Sequence, residues 1–412
     1  MTTDKISGVR LVVFLLPLIL VILLNQPARS WDIFAGEGLK LDGSVRWRSE
    51  LDGKDFDNST AMPERTYLRT RLGLEFDKIN DALVYIQVQD SRNIGSNSAT
   101  LTNDTNLGLH QGYIKLIGFP FEQLSLQVGR FKATYGRQRL IGAVGWSNVG
   151  RSFDGARASF KSDDLKIDIF SLKVQERSFD EPPNHKDQVF YGVYGNLWEE
   201  QLDLFFLLDW DMMESQGDYD LARWTAGTYL NYNFTPRVGL QLDAAYQGGY
   251  QGADDISAFM VASDLFYKLD SIVKSVGIGF DITSGDDDLS DDMIEYFDNL
   301  YYTGHKFRGF MDLFVGSARS GLMDLIFRTQ FSPLKQVEIA VDIHHFQTMQ
   351  DYITLEGDES KAIGQEIDLT AKHDWRNGLG LQAGASAFLP ANDYMTDSDP
   401  AYWFYAMITA DF

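Results

Sequence analysis

The chain has 412 residues, no cysteine, and 59 acidic against 36 basic side chains, a formal net charge of −23. That balance excludes a nucleic-acid partner, which needs basic surface, and the missing cysteines exclude disulfides and thiol chemistry. Aromatics at 13%, 36 scattered glycines and 23% charged residues do not describe a bundle of membrane helices.

Lys5 and Arg10 precede an apolar run from Leu11 to Leu24, followed by the small-x-small pattern Ala28-Arg29-Ser30. Residues 1–30 therefore read as a secretory signal. The alternative is an uncleaved anchor, but the run is shorter than the roughly 20 residues a spanning helix needs. No comparable run follows, so residence in a membrane requires strands, whose backbone is satisfied once the sheet closes.

From Leu39 onward, two-residue alternation recurs in segments of about ten residues. Leu68, Thr70, Leu72, Leu74 and Phe76 share one face, opposite Tyr67, Arg69, Arg71 and Glu75. Val238, Leu240, Leu242, Ala244 and Tyr246 alternate with Gln241, Asp243 and Gln247; Leu379 to Leu389 alternates in the same way. The connections are expected to alternate strictly. Short ones fall at 80–81, 162–163, 198–200, 235–236, 332–335 and 375–378; long ones run near 51–64, 92–106, 135–150, 176–186, 284–320, 347–362 and 390–400. Short periplasmic turns and long external loops are the pattern of a transmembrane barrel. Reading 305–316 as a strand gives an odd count and puts the termini on opposite sides of the membrane. Reading 284–320 as one external loop gives an all-β antiparallel barrel of about 18 strands, a single unit over residues 31–412. Tyr402, Phe404, Ala406, Ile408, Ala410 and Phe412 form the last apolar face, and Tyr402 to Tyr405 are expected at the outer aromatic girdle.

The six histidines show no metal-binding spacing, and His344-His345 point to opposite sides of a strand, one to the lumen and one to the rim. No nucleophile elbow or phosphate loop occurs, so no catalytic residues or cofactor are assigned. The acidic run from Ser284 to Asp292 reads as a solvated, self-repelling loop, with calcium the less favoured occupant. Arg46, Arg48, Arg69, Arg71, Arg157, Arg223 and Arg328 fall on the inward face, with Arg130, Arg137, Arg139 and Arg151 flanking it. A charge facing lipid at mid-membrane would cost roughly 2–4 kcal/mol. Guanidinium groups in a passage attract carboxylates, but Glu75, Asp203, Asp209, Asp243, Asp324, Glu338, Asp342, Glu366 and Asp368 also point inward. Such a lumen could be a lattice of mutual salt bridges bracing the wall, and because basic residues concentrate in the first six strands and acids in the later ones, two readings stand: an anion-selective constriction, or a transverse field across a general pore.

The segments LQVGRFKATYGRQRLIGAVGWSNVGRSFDGARASF (126–160), YYTGHKFRGFMDLF (301–314), GLMDLIFRTQFSPLK (321–335) and the ending YWFYAMITADF resemble the alginate-export family of porins. The resemblance implies an outer-membrane barrel of about 18 strands in a Gram-negative bacterium. Its lumen would pass a polyuronate, with Arg69, Arg71, Arg130, Arg151, Asp154 and Arg157 supplying the conduit. The terminal Phe412 would act as an assembly signal. The implied partners are outer-membrane lipid, an anionic oligo- or polysaccharide and periplasmic secretion components. The reading from another class is a structural or ligand-binding barrel closed by its 284–320 loop, with Phe310, Leu313, Phe314 and Val315 folding inward.

Overall fold

A computed structural model describes residues 38–412 apart from 80, 96–106, 177–186, 200, 212–219, 355–356, 376–377, 392–393 and 395–398. The expected signal segment lies outside the described residues.

The strands are β1 (Leu39–Gly53), β2 (Glu64–Ile79), β3 (Ala82–Ile94), β4 (Leu107–Ile117), β5 (Leu124–Phe131), β6 (Phe153–Lys161), β7 (Leu165–Gln175), β8 (Gln188–Leu197), β9 (Leu202–Asp211) and β10 (Leu221–Asn233). They continue as β11 (Val238–Gln251), β12 (Asp254–Lys268), β13 (Val273–Thr283), the two-residue β14 (Met293–Ile294), β15 (Leu322–Leu334), β16 (Val337–Ile353), β17 (Glu359–Asp374), β18 (Leu379–Pro390) and β19 (Ala401–Asp411). Eighteen of these pair antiparallel with both neighbours, and β1 closes the ring by pairing with β19. The remaining one, β14, lies parallel to β12 at Ile256↔Ile294. At the seam the Gly43 and Phe412 backbones exchange two 2.9 Å hydrogen bonds, so the last residue is part of the closure.

Alternation sorts the wall as expected. On β2, Leu72 and Leu74 are 43% exposed on the outer face, whereas Arg69 on the other parity is 8% exposed. On β11, Tyr246 is outside while Asp243 and Gln247 are buried inside. A sheet with lipid on one side and a filled lumen on the other demands this segregation.

Three expectations need correction. The strict parity of connections fails at the outer end of β11, where residues 252–253 make a tight turn into β12, with Gly252 at φ +64. The region 347–362 is mostly hairpin, because β16 and β17 extend to Ile353 and from Glu359. Trp403 and Tyr405 are not at an outer girdle: they are 1% and 4% exposed and point inward, while Phe404 between them faces out.

The interior is not open. Residues 132–152 fold inward after β5 and pack Ala133, Tyr135, Leu140 and Ile141 against Phe153, Phe170, Phe190, Tyr194 and Leu207 on the wall. Residues 284–321 also turn inward, placing Met311 among Phe346, Phe388 and Trp403, with Phe310, Leu313 and Phe314 against that cluster. Two connections read from sequence as external loops thus furnish the barrel with cores of its own. Val315, also expected to fold in, is 37% exposed.

Candidate channel lumen

Arg46, Arg48, Arg69 and Arg71 of the first strands point inward, as their parity requires, and meet chiefly backbone carbonyls of the 132–152 loop. Arg46 donates to the carbonyls of Gly145 at 2.8 Å and Ser147 at 3.0 Å. Arg69 donates to the same two at 3.0 and 3.1 Å. Arg48 donates to the Trp146 carbonyl at 2.6 Å and pairs with Glu50 at 2.7 Å. Arg71 reaches the Val149 carbonyl at 3.3 Å and Gln89 at 2.6 Å. Gln89 and Ser91 add donors to Val149 and Asn148 at 2.8 and 2.7 Å. A loop buried in a lumen must find partners for its carbonyls, and the wall provides them. Among the described residues, Arg46, Arg69 and Arg71 have no carboxylate at ion-pair distance.

Farther round the barrel the pattern reverses. Arg137 and Arg139, on the inward loop, pair with wall acids: Arg137 with Asp243 at 2.6 Å and Asp264 at 2.5 Å, Arg139 with Asp281 at 2.5 Å. Arg308 adds a contact to Asp281 at 3.5 Å, and Arg328 joins Asp264 to Asp342, the latter at 3.4 Å. Arg223 pairs with Asp298 of the other loop at 3.1 Å. Arg157 donates to Gln127 at 2.7 Å, and Arg151 to the Tyr302 carbonyl at 3.2 Å. Asp243, Asp264 and Asp281 are therefore neutralised by arginines brought in from the inward loops.

The two inward loops also grip each other. Gly142 N–H donates to the Tyr301 carbonyl at 2.8 Å, Tyr301 N–H to Leu140 at 2.9 Å and Thr303 N–H to Gln138 at 2.9 Å, forming a short parallel bridge at Ile141↔Tyr301. The result is a crossbar tied to β1–β3 at one end and to β11–β13 and β17 at the other.

Two recesses remain beside the crossbar. One, about 850 Å³, reaches the periplasmic turn between β12 and β13 and is lined by Arg137, Asp264, Lys268, Asp270, Lys274 and Arg328. The other, about 770 Å³, is lined by Lys132, Gln138, Trp146, His305, Gln382 and Tyr405. Lys306, Phe310 and Asp342 belong to both, so the recesses meet there. Trp146 stacks on His305 with centroids 4.1 Å apart, and Tyr405 meets the Trp146 ring edgewise at 4.9 Å. Lys306 donates to the Arg137 carbonyl at 3.2 Å. Burial, reinforced by Arg137 and Arg139, pushes its ammonium pKa down. Lys132 is lowered by burial and by Arg71 and Arg69.

Of the residues expected to line a conduit, Arg46, Arg48, Arg69, Arg71, Arg151, Arg157 and Arg328 are inside, but Arg130 and Asp154 are not. Arg130 shares the outer face of β5 with Val128, which is 51% exposed, and pairs at 2.5 Å with Asp154 on the outer face of β6. The buried pair Phe131↔Phe153 fixes this parity. Lys132 and Lys306 were missed because strand alternation places only wall residues, and both belong to inward loops. In the acidic run, Asp286 accepts from the N–H groups of Asp288 at 3.2 Å and Glu295 at 3.4 Å, and Asp287 and Glu295 lie close by. Of the two histidines, His344 is buried inward and His345 is on the outer parity.

The family model described as Alginate export matches residues 38–403. No curated protein matches the chain in sequence. Among solved structures, Pseudomonas aeruginosa OccK8 (OprE) superposes with a TM-score of 0.61 at 13% identity, covering 91% of this chain and 98% of its own. Acinetobacter baumannii OccAB3 gives 0.59 at 11%, covering 91% and 99%. Pseudomonas aeruginosa OccK11 (OpdR) gives 0.58 at 13%, covering 91% and 96%. At these identities the likeness is one of fold.

Proposed function

Because the chain belongs to the alginate-export family and forms an outer-membrane channel of the Gram-negative envelope, we propose that it passes anionic solutes, including acidic polysaccharide such as alginate, through a cation-lined lumen. The observation that carries this reading is the lining of the two joined recesses. They present Lys132, Arg137, Lys268, Lys274, Lys306 and Arg328 against only Asp264, Asp270 and Asp342, in a chain whose overall charge is −23. Cations gathered in a confined, partly desolvated passage favour anions, because counter-charge there is screened less than in bulk.

The arginine lining expected from the first strands is narrowed accordingly. Arg46, Arg48 and Arg69 spend donors on the 145–147 carbonyls and set the potential behind the loop, while Lys306, Lys132 and Arg328 meet the solute. The recess on the Lys132 side also offers Trp146 and Tyr405 as apolar faces beside Gln138 and Gln382, a mixture suited to a sugar ring carrying hydroxyls and a carboxylate.

The test is a planar-bilayer measurement of reversal potential and of block by oligouronates. Anion preference, with block by the charged oligomer stronger than by a neutral oligosaccharide of equal length, is expected. Cation preference or equal block would overturn the reading. A barrel closed by its loops is the second reading, favoured by the crossbar itself; a wild-type protein with no current would establish it.

A further inference from the structure

Residues 304–311 form the partition between the two recesses, since Lys306 and Phe310 belong to the walls of both. The partition's leading end is tied to the 132–152 loop through Tyr301 and Thr303. Its trailing end is held to β17 by two N–H groups, Met311 donating to Glu366 Oε1 at 2.8 Å and Phe310 to Asp368 Oδ2 at 3.2 Å, while Lys54 Nζ donates to the Met311 carbonyl at 3.0 Å. Gly309 presents them at φ +76, so close to the wall that a Cβ there would lie 2.5 Å from the Glu366 carboxylate. We propose that Glu366 is the positioning residue of a latch that holds this partition in place, and that releasing it widens the join between the recesses into one larger passage.

The surroundings of the latch make it the place where the crossbar yields. Glu366, Asp368 and Asp324 are all at most 1% exposed, and the imidazole of His344 sits among them. Its Nδ1 lies 2.7 Å from Asp324, and its Nε2 is 3.7 Å from Asp368. Ser386 donates its hydroxyl to Asp368. Glu366 Oε2 and Asp324 Oδ1 have no partner among the described residues. Three carboxyl groups around one imidazole, against Met311, Phe346 and Phe388, form a costly arrangement: burying incompletely paired ionisable groups is penalised, and an apolar replacement of like volume is commonly no less stable. The opposite anchor is of another kind. At 143–149 several donors meet carbonyls in series, and at Arg137 and Arg139 carboxylates meet guanidinium groups. The β17 anchor differs in resting on carboxyl groups gathered around one imidazole, with no guanidinium at ion-pair distance among the described residues, and the segment it holds is the one between the recesses.

The proposal rests on the channel reading and not on the charge of the cargo. Single-channel recordings of the full-length protein in planar bilayers test it. Glu366→Ala removes the acceptor for Met311 N–H and is expected to raise occupancy of a larger-conductance state about tenfold. Glu366→Gln keeps an amide oxygen as acceptor and is expected to stay within about twofold of wild type. Gly309→Ala drives a methyl group into the carboxylate and is expected to act like Glu366→Ala with every wall residue intact, so the test survives poor assembly of the latter. Wild-type gating in both Glu366→Ala and Gly309→Ala would overturn the latch, as would Glu366→Gln opening as often as Glu366→Ala. Altered gating without anion preference would sink the cargo reading alone; anion preference with unaltered gating would sink the latch alone.

Discussion

Arg48 holds Trp146 in two ways: its guanidinium donates to the Trp146 carbonyl at 2.6 Å, and its central carbon lies 4.0 Å from the centre of the Trp146 ring. The first contact fixes the backbone of the inward loop and the second orients the ring that lines a recess. A charged hydrogen bond at a buried site is worth about 1.5–3 kcal/mol, and a desolvated cation–π contact adds about 1–2 kcal/mol.

Arg48→Ala is therefore expected to free the 145–147 segment while leaving the barrel assembled. Hydrogen exchange at residues 143–149 should rise more than tenfold, because about 2 kcal/mol of local stability is removed. Unchanged exchange there would mean that Arg46 and Arg69 suffice to hold the loop.

The wall was legible because two-residue alternation is imposed by its two environments. Leu72, Leu74, Asp243 and Gln247 all lie on the face their parity assigned. The crossbar was legible only in part: the second reading folded Phe310, Leu313 and Phe314 inward, as they are, but nothing in the spacing of Tyr135 distinguishes a 132–152 loop that packs inward from one that extends outward. Its partners, such as Gln138 with Thr303, are 165 residues apart in sequence. Arg130 shows the converse error, in which a segment's resemblance outweighed its parity. Phe131 and Phe153 are inside, so Arg130 and Asp154 are outside, where mutual pairing makes their position tolerable.

From that placement, Arg130→Ala should leave reversal potential and oligouronate block unchanged, whereas Lys306→Gln should reduce anion preference several-fold. The same bilayer measurement on both variants decides the matter. An Arg130→Ala channel with weakened block would show that this outer-face pair acts on the lumen.

Trp403 and Phe404 are adjacent but face different surroundings, 1% and 39% exposed. Trp403 packs against Tyr405 at 4.8 Å and Trp146 at 5.8 Å and donates its indole N–H to Glu50 at 3.4 Å. Trp403→Ala should cost about 3–5 kcal/mol as a buried aromatic truncation. Phe404→Ala, on the lipid side, should cost less than half as much. Urea unfolding from detergent micelles, followed by tryptophan-independent circular dichroism, measures both; equal losses would contradict the inward assignment of Trp403.

Lys306 carries a consequence for pH. Burial, with Arg137 and Arg139 nearby, holds its pKa below the ordinary lysine value of 10.5. The sign follows from the charged form being the acid: as pH rises, Lys306 loses its proton earlier than a solvent-exposed lysine does, and the join between the recesses loses positive charge. Anion preference should fall with rising pH below the range in which free lysines titrate, while guanidinium groups such as Arg328 keep their charge. Reversal potentials taken across the alkaline range should show the midpoint of that fall in the wild type, and Lys306→Gln should start at the lower preference and lose the step. A step retained in Lys306→Gln would assign it to another group, with Lys132, also lowered by burial and by Arg71 and Arg69, the next to substitute.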